Sequence, residues 1–242
     1  MKRYFHSSIL SVVLAATLLL SVSCMRFPQD PQRTLETALA GGRLRVGVIS
    51  HTPWVTGDAP GAAGGPEGRL VAAFAEELGV AIDWRWGSAE EIFDALTHYD
   101  LDLAIGGITD TNPWHSEVAF TVPYYTNTII VAIPPTASPI SELNGIAVGV
   151  PPGSTVREQL AEEGAIPVLY EPLSDYDGPV ATDAWAVAGM GWRPTGIELR
   201  TDKHVMAVPR GENAMIMRLE TFLLEHKDQT QIADQLWEAT TQ

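Results

Sequence analysis

An α/β fold, with sheets of largely parallel strands under a cover of helices, is what this sequence predicts from Gly42 onward. Three observations lead there. Short apolar runs alternate with longer segments whose apolar residues recur at helical spacing. One run, Thr128 to Ile133, stops at Pro134-Pro135, a break that reads as a crossing into a second lobe. The closing segment carries Met217, Leu219, Leu223 and Leu224 as a core-facing helical stripe.

In chain order, Leu44 to Ile49 is the first strand, because six residues with four aliphatics suit a pleated, buried run. A Gly- and Pro-rich loop, His51 to Pro66, leads to a helix over Leu70 to Leu78 that Gly79 stops. Ala81 to Trp86 is a second strand, Ala89 to Leu96 a second helix, and Leu101 to Ile105 a third strand. Pro113 suits the first turn of a short helix. Beyond the double proline, Ser141 to Leu143 reads as a helical turn, Ile146 to Val150 as a strand and Ser154 to Glu163 as a helix. Val168 to Tyr170 and Val180 to Val187 are extended runs, and the chain returns to the first lobe around Leu199 to His204. Val205 to Val208 is the last strand, before helices over Ala214 to Glu225 and Gln229 to Glu238. The expected lobes are therefore residues 42–133 with 200–242, and residues 134–199.

Ahead of this fold, Met1, Lys2 and Arg3 give a basic start and Ile9 to Leu20 is almost unbroken in apolar residues. That pattern is an export signal, too short to span a bilayer comfortably. It ends in Ser21-Val22-Ser23-Cys24, which resembles the lipobox of bacterial lipoproteins. Residues 1–24 are thus expected to be a signal peptide ending at a lipidated Cys24, and residues 25–41 a tether with a short helix near Thr34 to Leu39. Cys24 is the only cysteine, so no disulfide within the chain is available.

Loss of residues 1–23, which carry Lys2 and Arg3 and no acid, moves the formal charge from −15 to −17. A surface so acidic repels nucleic acid, which is excluded as a partner. The six histidines show no metal-ligand spacing, and no Walker, dinucleotide or G-x-S-x-G motif occurs, so neither a metal nor a cofactor is expected.

Open parallel sheets present ligand sites at the carboxyl ends of their strands. Trp54 follows the first strand, and Glu67 lies at the start of the next helix. After the third strand, Gly106 and Gly107 allow close approach to the backbone, while Thr109, Asp110 and Thr111 offer short polar side chains. Trp114 either covers a cleft as a stacking platform or fills space within the lobe. In the second lobe Ser154 and Thr155 open a helix, whose free N–H groups suit an anion, and Asp183 supplies an acid near a strand end.

These residues fall into a known arrangement. Asp102, Gly107, Ile108, Thr109 and Thr111, then Val118, Phe120, Thr121, Pro123 and Tyr124, match D-x-x-x-x-G-[MI]-[ST]-x-T-x-x-R followed by V-x-F-[ST]-x-P-Y. Together with Leu44 to Val48, Leu143 to Ser154 and Pro209 to Asn213, they make the chain resemble the family 3 extracellular solute-binding proteins of ABC transporters. The resemblance implies a two-lobed type II clamshell with the second lobe inserted in the first and the ligand in the cleft. It also implies that Trp54 packs on the ligand, that Thr109 and Thr111 bind its amino and carboxylate groups, and that Asp183 pairs with its ammonium. Where the family has its carboxylate-binding arginine, this chain has Trp114.

The expected function is therefore capture of a small polar solute, an amino acid or cationic amine, for an ABC permease. The protein is expected to be a monomer outside the cytoplasm, lipid-anchored to the membrane, and not an enzyme. Aromatic faces from Trp54, Trp114, Trp185 or Tyr124 could hold a cation, at about 0.5 to 2 kcal/mol each. Arg157 or Arg193 could replace the missing carboxylate clamp. The alternatives are a dehydratase-like enzyme on the same scaffold, and a ligand-sensing partner of a membrane receptor.

Overall fold

The computed structural model describes residues 30–241. The expected signal peptide, lipobox and Cys24 lie outside them. A first helix, α1 (Thr34–Gly41), packs against the body of the protein rather than serving as tether. Its anchor is Glu212, 1 % exposed, whose carboxylate accepts from the Gln32 and Thr34 backbone N–H groups at 2.8 Å each and from Thr34 Oγ1 at 3.1 Å. The expectation that the tether reaches residue 41 misses this, because the acid lies 178 residues further along the chain.

The first sheet has the order β2-β1-β3-β10-β4. Its strands are β1 (Arg43–Val48), β2 (Ala81–Trp86), β3 (Leu103–Ile105), β4 (Val118–Phe120) and β10 (Ala207–Pro209). β1 runs parallel to β2 and β3, whereas β10 is antiparallel to β3 and β4. On one face Leu44, Val46 and Val48 are fully buried against α2 (Gly65–Leu78) and the closing helices α6 (Asn213–His226) and α7 (Gln229–Thr240). Phe74 and Phe222 meet there, with ring centroids 5.3 Å apart. On the other face α3 (Ala89–Thr97) brings Ile92, Phe93 and Leu96 against Leu101, Val118 and Val205. A Cβ at Gly47 would lie 2.6 Å from Ile92 and 2.7 Å from Leu101, so α3 can sit this close only over a glycine.

The helix α2 begins at Gly65, a turn earlier than expected, because Pro66 occupies its first turn and needs no N–H partner there. The α3 start carries a capping box, in which Ser88 Oγ accepts from Glu91 N and Glu91 accepts from Ser88 N. Asp102, 1 % exposed, takes both branches of the Arg45 guanidinium, at 2.6 and 3.1 Å, and the Arg45 N–H at 2.8 Å. That clasp registers β3 beside β1.

The second sheet has the order β7-β6-β8-β5-β9. It comprises β5 (Tyr125–Ile133), β6 (Ala147–Val150), β7 (Ile166–Leu169), β8 (Val180–Asp183) and β9 (Arg193–His204), with helices α4 (Arg157–Glu162) and α5 (Ala184–Gly189). β6 is parallel to β7 and β8, and β5 is antiparallel to β8 and β9. Several details differ from the sequence reading. The strand before Pro134-Pro135 pairs within the second sheet, so the chain leaves the first sheet near Tyr124 and returns near Val205. The double proline merely ends that strand. The run Val180 to Val187 divides at Asp183 into strand and helix, since Ala184–Gly189 is alanine-rich and has good helix propensity. Residues 141–143 are not helical; the turn falls at Asn144-Gly145.

The two crossings between sheets run side by side. Tyr125 pairs with His204, Tyr124 N donates to the His204 carbonyl at 3.0 Å, and Val205 N donates to the Ile108 carbonyl at 2.9 Å. Helix α7 spans the joint: Gln229 bonds to Tyr124 O and Thr126 N, Ile232 and Leu236 fill the first core, and the Trp237 ring lies over Gly189 of α5.

Candidate ligand-binding site

A cleft of about 450 Å³ opens between the loop after β1, through His51 and Thr52, and the ends of β6 and β8 in the second sheet. The latter supply Pro151 to Thr155 and Ala181 to Asp183, with Ile129 from β5 beneath. These are loops at the carboxyl ends of parallel strands, where an α/β sheet leaves its connections free to meet a ligand. Of the residues expected at the site, Ser154, Thr155 and Asp183 line this cleft, and its lining contains no lysine or arginine. Among the described residues, no three His, Cys, Asp or Glu side chains are grouped to hold a metal.

Asp183 is the charged centre of the cleft. Asn127 Nδ2 donates to its carboxylate at 2.6 Å across the β5–β8 pair. Burial pushes its pKa up, the Asn127 bond pulls it back, and the neighbouring Asp202 adds to the rise more than Arg200 offsets. Tyr125 is likewise pushed up to about 12 by burial and by the Asp183 charge. A carboxylate in this setting is short of positive charge, so an ammonium arriving in the cleft gains more from it than from an acid in open water.

At the helix start, α4 is only six residues long and begins later than expected; the Ser154 N–H is already given to the Pro151 carbonyl at 3.1 Å. The hydroxyls of Ser154 and Thr155 line the cleft there beside the backbone of the Pro151 to Thr155 loop.

The remaining expected residues are not among those that line this cleft. Glu67 is fully buried, and its carboxylate accepts from the Gly106 N–H at 2.7 Å, from the Gly107 N–H at 3.1 Å and from the Tyr124 hydroxyl. Burial raises its pKa, and those three donors pull it back. It braces the turn after β3 and does not reach the cleft. Gly107 sits at φ 65°, and a Cβ there would run into His51 and come within 3.0 Å of Trp54 Cδ1. His51 itself is held by the Gly106 carbonyl at 2.9 Å, so the double glycine seats the cleft-lining histidine.

Trp54, expected on the ligand, is 5 % exposed and stacks on His204, with centroids 3.5 Å apart and 20° between planes. Tyr125 lies against it at 5.5 Å. Thr109 and Thr111 share a hydroxyl contact at 3.1 Å, and Thr109 bridges to His204, which ties the turn to the crossing strands. Trp114 is half-buried and stacks on Phe93 of the first lobe at 5.3 Å with 8° between planes. Arg193 bonds to the Ala137 carbonyl at 2.7 Å, and neither it nor Arg157 lines the cleft. Asn127 and His204 matter here without any motif that singles them out, and the pairing across β5, β8 and β9 reveals them; His51 is placed by its bond to the Gly106 carbonyl.

The chain matches the model of the bacterial extracellular solute-binding proteins, family 3, over residues 44–237. It belongs to that family, whose members work outside the cytoplasm. No curated protein sequence is significantly similar to it. Among solved structures, the chain is similar to the L-cystine solute receptor of Neisseria gonorrhoeae in its unliganded open conformation: 18 % identity, 84 % of this chain and 96 % of that one, TM-score 0.69. It is also similar to an ancestral cationic amino acid solute-binding protein, at 23 % identity, 85 % and 98 % coverage and TM-score 0.67. A second structure, described as an ancestral amino-acid-binding protein and precursor of cyclohexadienyl dehydratase, gives 22 % identity over 85 % and 98 % with TM-score 0.55. At these identities the likeness establishes the two-lobed fold.

Proposed function

We propose that this protein captures a small solute bearing an ammonium group, an amino acid or an amine, and delivers it to an ABC permease from an anchor at Cys24. The lobes in this reading are residues 30–124 with 205–241, and residues 125–204, moving about the paired crossings. The observation that carries it is the cleft around Asp183, an acid backed by Asn127 with no lysine or arginine among the lining residues. A cation recruited there forms a charge-assisted bond worth about 1.5 to 3 kcal/mol. With Trp114 packed on Phe93, a carboxylate on the ligand meets only hydroxyl and backbone donors. This reading favours solutes whose positive group dominates.

Thermal shift and calorimetry with a panel of amino acids, diamines, guanidines and quaternary amines test it. Asp183→Asn is expected to weaken the best ligand roughly tenfold or more, in line with one lost charge-assisted bond. A panel in which only anionic solutes bind refutes the reading. Ligand consumption with a new product in the mass spectrum favours the dehydratase-like alternative.

A further inference from the structure

Six large apolar side chains stand exposed among the described residues, and they fall into two groups. Ile166, Leu169 and Tyr170 follow the edge strand β7 of the second sheet. Leu39, Met217 and Leu224, at 48, 62 and 54 % exposure, belong to α1 and α6 on the first lobe, so of the stripe expected to face the core only Leu219 and Leu223 are buried, while Met217 and Leu224 face outward. The second group is organised. A depression of about 620 Å³ is lined by Leu35, Leu39, Ala40 and Ala214 together with the charged Asp30, Arg33 and Glu36, and along α6 the exposed positions Ala214, Met217, Thr221 and Leu224 continue from it as one helical stripe.

The chain enters the described region at this same patch: Asp30 lies in the depression and accepts from the Ala214 N–H at 2.7 Å. Cys24 precedes Asp30 by six residues, a reach of about 20 Å even if fully extended. We infer that the patch formed by Leu39, Met217 and Leu224 is a membrane-facing surface, on which the first lobe rests against the lipid bilayer that holds Cys24. This rests on the anchoring given above. A short tether confines the patch near the bilayer at high effective concentration, so three partly inserted side chains suffice without strong intrinsic affinity. The formal charge of −17 once residues 1–23 are lost argues that apolar contact, not attraction to anionic lipid, is the holding force. Seating the lobe by α1 and α6 leaves His51 and the cleft on a different part of the lobe.

The test uses the mature protein coupled through Cys24, its only cysteine, to a maleimide lipid in phosphatidylcholine vesicles, with hydroxyl-radical footprinting of all six exposed residues. Modification of Leu39, Met217 and Leu224 is expected to fall several-fold on coupling, while Ile166, Leu169 and Tyr170 stay unchanged. The protection is expected to persist in high salt, which screens charge but not apolar contact. In a coupled Met217→Glu/Leu224→Glu protein, Leu39 is expected to regain its reactivity. Equal protection of both groups, or none at Met217, overturns the surface. The same protection in uncoupled protein as its concentration rises makes the occupant a second copy and also overturns it. An unmodified Cys24 peptide from exporting cells overturns the anchor, and with it the bilayer as occupant; loss of protection with Cys24 lipidated overturns the surface alone.

Discussion

Replacing His204 with glutamine is expected to remove a pH dependence from the folding stability. His204 is 4 % exposed, stacked on Trp54, and its Nδ1 has no hydrogen-bond partner. Burial brings its pKa down from 6.5 to about 4, against a smaller upward pull from Asp202. Above pH 6.5 the imidazole is neutral whether the chain is folded or not, and its contribution is fully present. As pH falls below 6.5 the unfolded chain takes up a proton that the folded chain refuses until about pH 4, so stability is lost across that window. The interval corresponds to about 3 kcal/mol at its acid end. Glu67 and Asp183, whose pKa values are raised, act in the opposite direction, so the informative quantity is the difference between wild type and His204→Gln at each pH. Urea unfolding of the two proteins from neutral pH down to about pH 4 measures it. The wild type is expected to lose about 3 kcal/mol relative to the variant on acidification. A difference that stays flat would show that His204 accepts a proton in place and that the crossing strands are not closed around it.

The brace beneath the turn gives a second prediction: Glu67→Gln leaves one neutral acceptor oxygen where the carboxylate offers two to the Gly106 and Gly107 N–H groups and the Tyr124 hydroxyl, and should cost about 1 to 3 kcal/mol in chemical denaturation. Weaker ligand binding should accompany it, because the same turn seats His51; unchanged binding would separate the brace from the cleft. Glu212→Ala removes the acceptor shared by Gln32 and Thr34, with an expected loss of about 3 kcal/mol. Hydrogen exchange should then accelerate over residues 30–41 selectively, and a uniform acceleration would count against a local clasp.

The alternation of strands and helices from Leu44 to Trp86 was legible because it is written in local periodicity: β1 alternates across the sheet, and Gly79 ends α2 in the left-handed conformation that glycine tolerates. The motif from Asp102 to Tyr124 was equally legible as a pattern, and it carried the family. What each member of that motif does was not. Asp102 clasps Arg45, and Gly106 and Gly107 are braced by Glu67, roles set by partners 57 residues from Asp102 and 39 from Gly106.

The sequence by itself determined the fold class, the turn chemistry after β3 and the acid at Asp183, since periodicity, glycine placement and motif spacing are local properties. Only the tertiary structure decided which sheet β5 joins, that Trp54 stacks on His204 and Trp114 on Phe93, and that Asn127 backs Asp183. The physical reason is that strand pairing and ring stacking depend on surfaces brought together over long separations, where an apolar strand or an aromatic residue suits either of two sites equally well.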